Sequence, residues 1–277
     1  MYDVWKNPEV LGIISKIAGV ELVPEMDFEI AHINISVKSE KQKAEELEAF
    51  RERSLTEADE GIAGCPWEDD KPIVDWHTDS YPFVCVTMLS DCTSMIGGET
   101  ALRTGDGEVV KVRGPQMVRA SVDPILDELT DYEGCAVVLQ GRYIEHQALR
   151  ALGATERITM VTSFRPKCHT VKDDTVLTTV RPISNLSELY YQFSEYRLEI
   201  LEERIRDQLK ALRENESRGK KFNTKSLKAF LLEQETFLAH MNKEMVDDDL
   251  VTKGCIDDSH LFSEHGKNKR KRATLVE

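Results

Sequence analysis

Asp75-Trp76-His77-Thr78-Asp79 opens the stretch whose reading decides the fold, the run from Ile73 to about Pro166. Short β-rich segments follow one another there: Tyr81–Leu89, Thr100–Thr104, Val109–Val112, Ala136–Gln140 and Arg157–Phe164. Turn signals separate them, Gly97-Gly98, Gly105-Asp106-Gly107 and Gly114-Pro115. Closely spaced strands with no long helix between them predict an antiparallel sandwich or barrel.

Upstream, Asn7-Pro8-Glu9 reads as a helix start, with a capping Asn, Pro in the first position and an acid in the first turn. Val10, Leu11, Ile13, Ile14, Ile17 and Ala18 form an apolar stripe that Gly19 can close. A helix so near residue 1 has nothing before it to pack on, which leads to the expectation of further sequence upstream. Ala31, Ile33, Ile35 and Val37 alternate with His32, Asn34 and Ser36, the period of a half-buried strand. Residues 40–70 read as acidic loop apart from a short helix around Ala44 to Phe50. From Leu186 the period becomes helical: Leu186, Leu189, Phe193, Tyr196 and Ile200, then a shifted stripe of Leu201, Ile205 and Leu212. A loop at 215–223 precedes Leu227, Phe230, Leu231, Phe237, Leu238 and Met241, so the back of the chain is an α-hairpin. Its apolar faces are expected to dock on the β-domain, with homodimerisation as the alternative.

The 277 residues carry 36 basic and 50 acidic side chains, net −14. Residues 183–277 contribute only −1 of this, so the front 182 residues hold −13. So acidic a chain is a poor general nucleic-acid binder, because that role neutralises phosphates. No apolar run reaches transmembrane length, and no export signal is read at the start, so a cytoplasmic protein is expected. The basic cluster at 267–272 offers a nuclear address as the alternative to a solvated tail. The six cysteines are scattered without a CxxC pair and read as reduced thiols, Cys85 and Cys135 as small apolar residues.

His77 and Asp79 are the first candidates for chemistry. Seven histidines and 50 acids in 277 residues make about one His-x-acid pair by chance. In a strand, however, i and i+2 share a face, so this imidazole and carboxylate would converge. A facial Fe(II) site needs two such ligands and one distant imidazole, with three positions left open. His146 is the best distant candidate, since it follows the strand Ala136–Leu139; His169 is the weaker rival. Arg157 and Thr159 share a face of a later strand and could grip a carboxylate. Arg165 is the rival anchor. Tyr81, Arg103, Arg142 and Tyr143 lie near these motifs, and a packing role suits each at least as well as substrate contact. His32 and Asn34 could line a pocket.

The combination of His77-x-Asp79, Gly97-Gly98-Glu99-Thr100, His146 and Arg157-x-Thr159 resembles the Fe(II)/2-oxoglutarate-dependent dioxygenase superfamily, and in particular its fungal small-molecule members. The resemblance implies an α+β protein with a mainly β core, a double-stranded β-helix (a cupin-like jelly roll) with flanking helices. It implies iron held by His77, Asp79 and His146, and 2-oxoglutarate held by Arg157 with help from Thr159. O2 and 2-oxoglutarate would be consumed, with ascorbate as an optional accessory, releasing succinate and CO2. The carboxylate of Asp79 favours hydroxylation, desaturation or cyclisation over halogenation. The expected substrate is a small metabolite or amino-acid-like molecule; a protein or peptide hydroxylase and a catalytically inactive scaffold are the alternatives. The expected organisation is a dioxygenase domain at 1–182 with its jelly-roll core at about 28–166, a helical hairpin at 183–250 and a flexible tail at 251–277. Residues 118–133, mostly polar, depart from the family pattern and read as a loop insertion or a retained intron.

Overall fold

A computed structural model describes residues 2–54, 74–90, 96–112, 136–149, 151–152, 156–255 and 258–262. The expectations for 118–133, for Cys135 and for the basic cluster at 267–272 lie outside these residues. The chain divides into two compact units, Met1–Arg165 and Pro166–Glu277.

The first unit is mixed, with antiparallel sheets and short helices. Helices α1 (Tyr2–Trp5) and α2 (Pro8–Ala18) lead into β1 (Leu22–Pro24) and β2 (His32–Val37), followed by α3 (Glu40–Ser54). Helix α2 starts and stops as its sequence dictates. The Asn7 side chain accepts from the Glu9 amide, Pro8 occupies the first turn, and Gly19 closes the end at φ 73°. The sheet strands are β3 (Val74–His77), β4 (Phe83–Met88), β5 (Ile96–Gly97), β6 (Thr100–Arg103), β7 (Val109–Val112), β8 (Ala136–Leu139), β9 (His146–Ala148), β10 (Ala151–Leu152) and β11 (Glu156–Pro166).

One sheet runs β1-β11-β4-β8, with β2 also paired to β11; another runs β3-β9-β6-β7; β5 and β10 form a ribbon. The alternation of β11 sets two different faces. Met160 and Phe164 pack with Phe83, Cys85, Leu22, Trp5 and Ile14 under α2, and Trp5 meets Phe164 edge-on at 6.0 Å. Arg157, Thr159 and Val161 lie on the other face, where Ser36, Asn34 and His32 of β2 stand directly opposite them.

Two readings from sequence are corrected here. The apolar set of β2 was expected to be the buried one, yet Ile35 and Val37 are 66% and 69% exposed. The core under α2 reaches Ile30 and Ala31 and stops short of them. Helix α3 begins at Glu40 and is longer than the short stretch expected.

The second unit contains α4 (Leu186–Ser217) and α5 (Thr224–Glu244). Asn185 caps α4 through the amides of Ser187 and Glu188. Leu186, Leu189, Phe193, Tyr196 and Ile200 are buried as their spacing predicts, together with Phe237 and Met241 of α5. Leu231 and Leu238, read as part of the same stripe, are exposed.

Between these hydrophobic residues runs a buried ionic network. Arg181, wholly buried, pairs with Glu244 at 3.0 Å and with Asp258. Arg197 pairs with Asp173 at 3.3 Å and stacks on Phe237 at 3.8 Å. This network moves the boundary between the units. Residues 166–182, expected with the β-domain, belong with the helices because Arg181 and Asp173 are anchored there. It also removes the start of the expected flexible tail, since Asp258 and Leu261 are buried.

Candidate metal centre

Strands β3 and β9 are antiparallel neighbours, and His77 stands directly opposite His146 in their register. The two rings are 4.3 Å apart between centroids. Each ring is oriented by its own backbone: Nδ1 of His77 lies 2.7 Å from the carbonyl of Asp75, and Nδ1 of His146 lies 2.9 Å from that of Ile144. With Nδ1 donating, each Nε2 keeps its lone pair, the tautomer a metal ligand needs.

Both Nε2 atoms point at Asp79. His77 Nε2 is 3.6 Å from Oδ1, and His146 Nε2 is 3.6 Å from Oδ2. Among the described residues these three form the one cluster of three or more metal-ligating side chains, with ligand atoms all within 4.8 Å of one another. Bonds of about 2.0–2.2 Å, as in zinc and magnesium sites, place ligand atoms at right angles about 3 Å apart. The triad is therefore nearly at the spacing a divalent ion imposes.

The sequence argument placed His77 and Asp79 on one strand face. The structure reaches the same convergence differently. Strand β3 ends at His77, and Asp79 lies beyond it. The Asp79 amide donates to the carbonyl of Gly141 at 2.8 Å, which ties the ligand loop to the turn following β8. Gly141 also gives the carboxylate its room: a Cβ there would lie 1.9 Å from Asp79 Oδ2. Sequence reading gave Gly141 no role, because close approach of a residue 62 positions away leaves no local signal. Arg142 braces the same loop by donating to Thr78 Oγ1 at 3.2 Å.

Burial pushes the Asp79 carboxyl above the usual carboxylate range, against the pull of His146 and His77. Glu29, in a single 3-10 turn before β2, is a second carboxyl that sequence reading missed. Burial, with the charge of Asp79 adding to it, pushes Glu29 up to about 7. A carboxyl whose ionisation is made costlier by burial and by a neighbouring carboxylate is a frequent feature of functional sites.

The other candidates sort as follows. Arg157 and Thr159 sit together on β11, Thr159 buried and Arg157 partly so. The rival anchor Arg165 is held by Glu25 at 2.7 Å. Arg103 pairs with Glu145 at 2.9 Å and covers Trp76. Tyr81 is buried and Tyr143 half exposed. His32 and Asn34 are exposed on the face that carries Arg157 and Thr159. His169, the rival distal imidazole, lies in the second unit between Glu203 and Asp207 at 3.0 and 2.8 Å. Gly98 adopts a positive φ, 75°, at the Gly97-Gly98 turn that leads into β6. No described helix is long and apolar enough to cross a membrane.

No family model matches the sequence, and no curated protein matches it. Solved structures with some likeness include a Pseudomonas putida prolyl-4-hydroxylase, 18% identical with a TM-score of 0.24, covering 61% of this chain and 89% of that one. The IDO of Bacillus thuringiensis is 16% identical with a TM-score of 0.23, covering 36% of this chain; the match spans 41% of the Bacillus chain. The chemistry of the site, and not these likenesses, carries the functional reading.

Proposed function

We propose that the protein is an Fe(II)- and 2-oxoglutarate-dependent oxygenase acting on a small metabolite or amino-acid-like substrate. The observation that supports it is the triad of His77, Asp79 and His146, with both Nε2 atoms freed toward one carboxylate. On this reading the first unit is a double-stranded β-helix, and the three side chains hold ferrous iron on one face of its coordination sphere. Arg157 and Thr159 bind the distal carboxylate of 2-oxoglutarate, a planar guanidinium with a hydroxyl beside it. When bound, iron and 2-oxoglutarate supply oxygen activation: R–H, O2 and 2-oxoglutarate become R–OH, succinate and CO2.

The protein's own part is positional. The carbonyls of Asp75 and Ile144 fix both imidazole tautomers, and the Gly141 carbonyl fixes the loop that carries Asp79. The test is anaerobic addition of Fe(II) and 2-oxoglutarate, with a weak visible charge-transfer band expected and its loss expected in His77→Ala. Succinate formation across a panel of amino acids and metabolites then identifies the substrate class. A folded protein that shows neither band nor succinate defeats the proposal and leaves the inactive scaffold.

A further inference from the structure

The segment Glu25-Met26-Asp27-Phe28-Glu29, between β1 and β2, carries three acids, and two of them have a cation of their own. Glu25 holds Arg165 at 2.7 Å. Asp27 holds Lys6 at 3.1 Å and accepts from the Tyr2 hydroxyl. Glu29 has neither a hydrogen bond nor an ion pair among the described residues. Only burial and the charge of Asp79 act on its carboxyl, and no described cation offsets them. Carboxylates taken out of water ordinarily have a partner.

The turn that carries Glu29 is held in place. The Ala31 amide donates to Thr162 Oγ1 of β11 at 3.0 Å, and the Glu29 amide donates to the Met26 carbonyl at 2.9 Å. Glu25 ties the start of the segment to the end of the same strand through Arg165. Met26 and Ala31, on either side of the turn, are non-glycine residues at positive φ, 63° and 62°. Such conformations persist only where their surroundings impose them, and they cluster at functional sites. The turn also stands at the opposite end of the β2–β11 pair from Arg157. Ala31 meets Thr162, whereas Ser36 is opposite Arg157, five residues and about 17 Å further along the strand. Arg157 is therefore not a partner for Glu29. The pair of strands has a cationic end at Arg157 and an acidic end at Glu29, and the acidic end is near enough to the triad to feel Asp79.

We propose that Glu29 recognises an ammonium group of the substrate, so that the small molecule oxidised is an alkylamine or a basic amino acid. The substrate's cation supplies the partner that the fold withholds, in a charge-assisted hydrogen bond. The inference rests on the oxygenase reading for what is done to the substrate, and on Glu29 for what is bound.

The test is calorimetric titration of the Mn(II)-loaded full chain with putrescine, cadaverine, L-lysine and L-ornithine, each against its fully N-acetylated counterpart. At least one amine is expected to bind about 10- to 150-fold more tightly than its acetylated form, the value of a charged hydrogen bond. Glu29→Gln should bring the two forms within about threefold of each other, with far-ultraviolet circular dichroism unchanged. In succinate assays the same variant should raise the KM for that amine by a similar factor and leave kcat within about threefold. A wild type that prefers no amine, or a preference that survives Glu29→Gln, overturns the proposal. An amine preference that depends on Glu29, in a protein that gives no charge-transfer band with Fe(II) and 2-oxoglutarate, supports the recognition and sinks the oxygenase reading alone.

Discussion

Gly141→Ala isolates the geometry of the metal centre from its chemistry. The glycine is not in the left-handed region, so an alanine there is free of backbone strain. Its new methyl would stand 1.9 Å from Asp79 Oδ2, 2.7 Å from Cγ and 2.8 Å from Cβ. A carbon and an oxygen need roughly 3.2 Å, so the carboxylate must move by about 1.3 Å or rotate away. The backbone does not yield easily, because the Gly141 carbonyl is bound by the Asp79 amide at 2.8 Å. A swing of the carboxylate relieves the contact with Oδ2, but Cβ at 2.8 Å is fixed to the backbone, so the loop that carries Asp79 must also give way, at some cost to the metal-free protein. The larger cost appears when a cation must be held. Displaced supporting contacts typically lose 10- to 100-fold in metal affinity, and the displaced atom here is a ligand itself. A loss at or above the upper end is expected, about 2.8 kcal/mol or more. Titration with Mn(II), read by its electron paramagnetic resonance signal, measures this, with thermal unfolding of the metal-free protein as the control. Affinity within twofold of wild type would refute the close-approach argument.

Further expectations concern other groups. Arg157→Ala should raise the KM for 2-oxoglutarate by about 10- to 150-fold, the value of a charged hydrogen bond. Arg165→Ala should leave that KM within threefold of wild type, because its partner is Glu25; the reverse pattern would exchange their roles. Glu29, raised from 4.5 to about 7, binds its proton more tightly in the folded than in the unfolded chain. Metal-free protein should therefore lose stability as pH rises from about 4.5 to 7, by up to about 3 kcal/mol, and Glu29→Gln should flatten that slope in urea unfolding. Equal slopes would remove Glu29 from the account. Asp258→Ala leaves the wholly buried Arg181 with Glu244 alone and should destabilise the second unit by about 3–5 kcal/mol in thermal unfolding. A change under 1 kcal/mol would mean that the 258–262 segment is not anchored there.

What could be read from sequence follows a physical division. Spacing gave α2, the buried stripe of α4 and the strands β4, β6, β7, β8 and β11, because each repeats a pattern at 2.0 or 3.6 residues. It also singled out the three side chains that meet, since a short strand, a distant strand and their residue types narrow the choices. Three features had no local trace. Gly141 owes its role to a residue far off in the chain, Arg165 was resolved by a carboxylate 140 residues away, and Arg181 joined the second unit through Glu244 and Asp258, both more than 60 residues away. The exposure of Ile35 and Val37 marks the opposite failure. Alternation identified the strand but not the extent of the cover, which depends on where α2 ends.

The acidic charge of the front of the chain takes on a definite meaning at the site. Asp79 and Glu29 both resist ionisation because they are buried, and the charge of Asp79 raises Glu29 further. The two imidazoles oppose this only when protonated, and a protonated Nε2 cannot hold a metal. The surroundings of these carboxyls in the free protein therefore conflict with their ionisation. A divalent cation among His77, Asp79 and His146 removes that conflict at once. It neutralises Asp79, lowers the cost of ionising Glu29 and needs the neutral imidazoles that the backbone carbonyls already select. Binding then competes with protons and strengthens as pH rises, opposite in sign to the stability of the metal-free protein. A purely structural trio would gain nothing from aiming two lone pairs at one buried carboxylate. That opposition of signs separates a metal centre from a packed polar cluster.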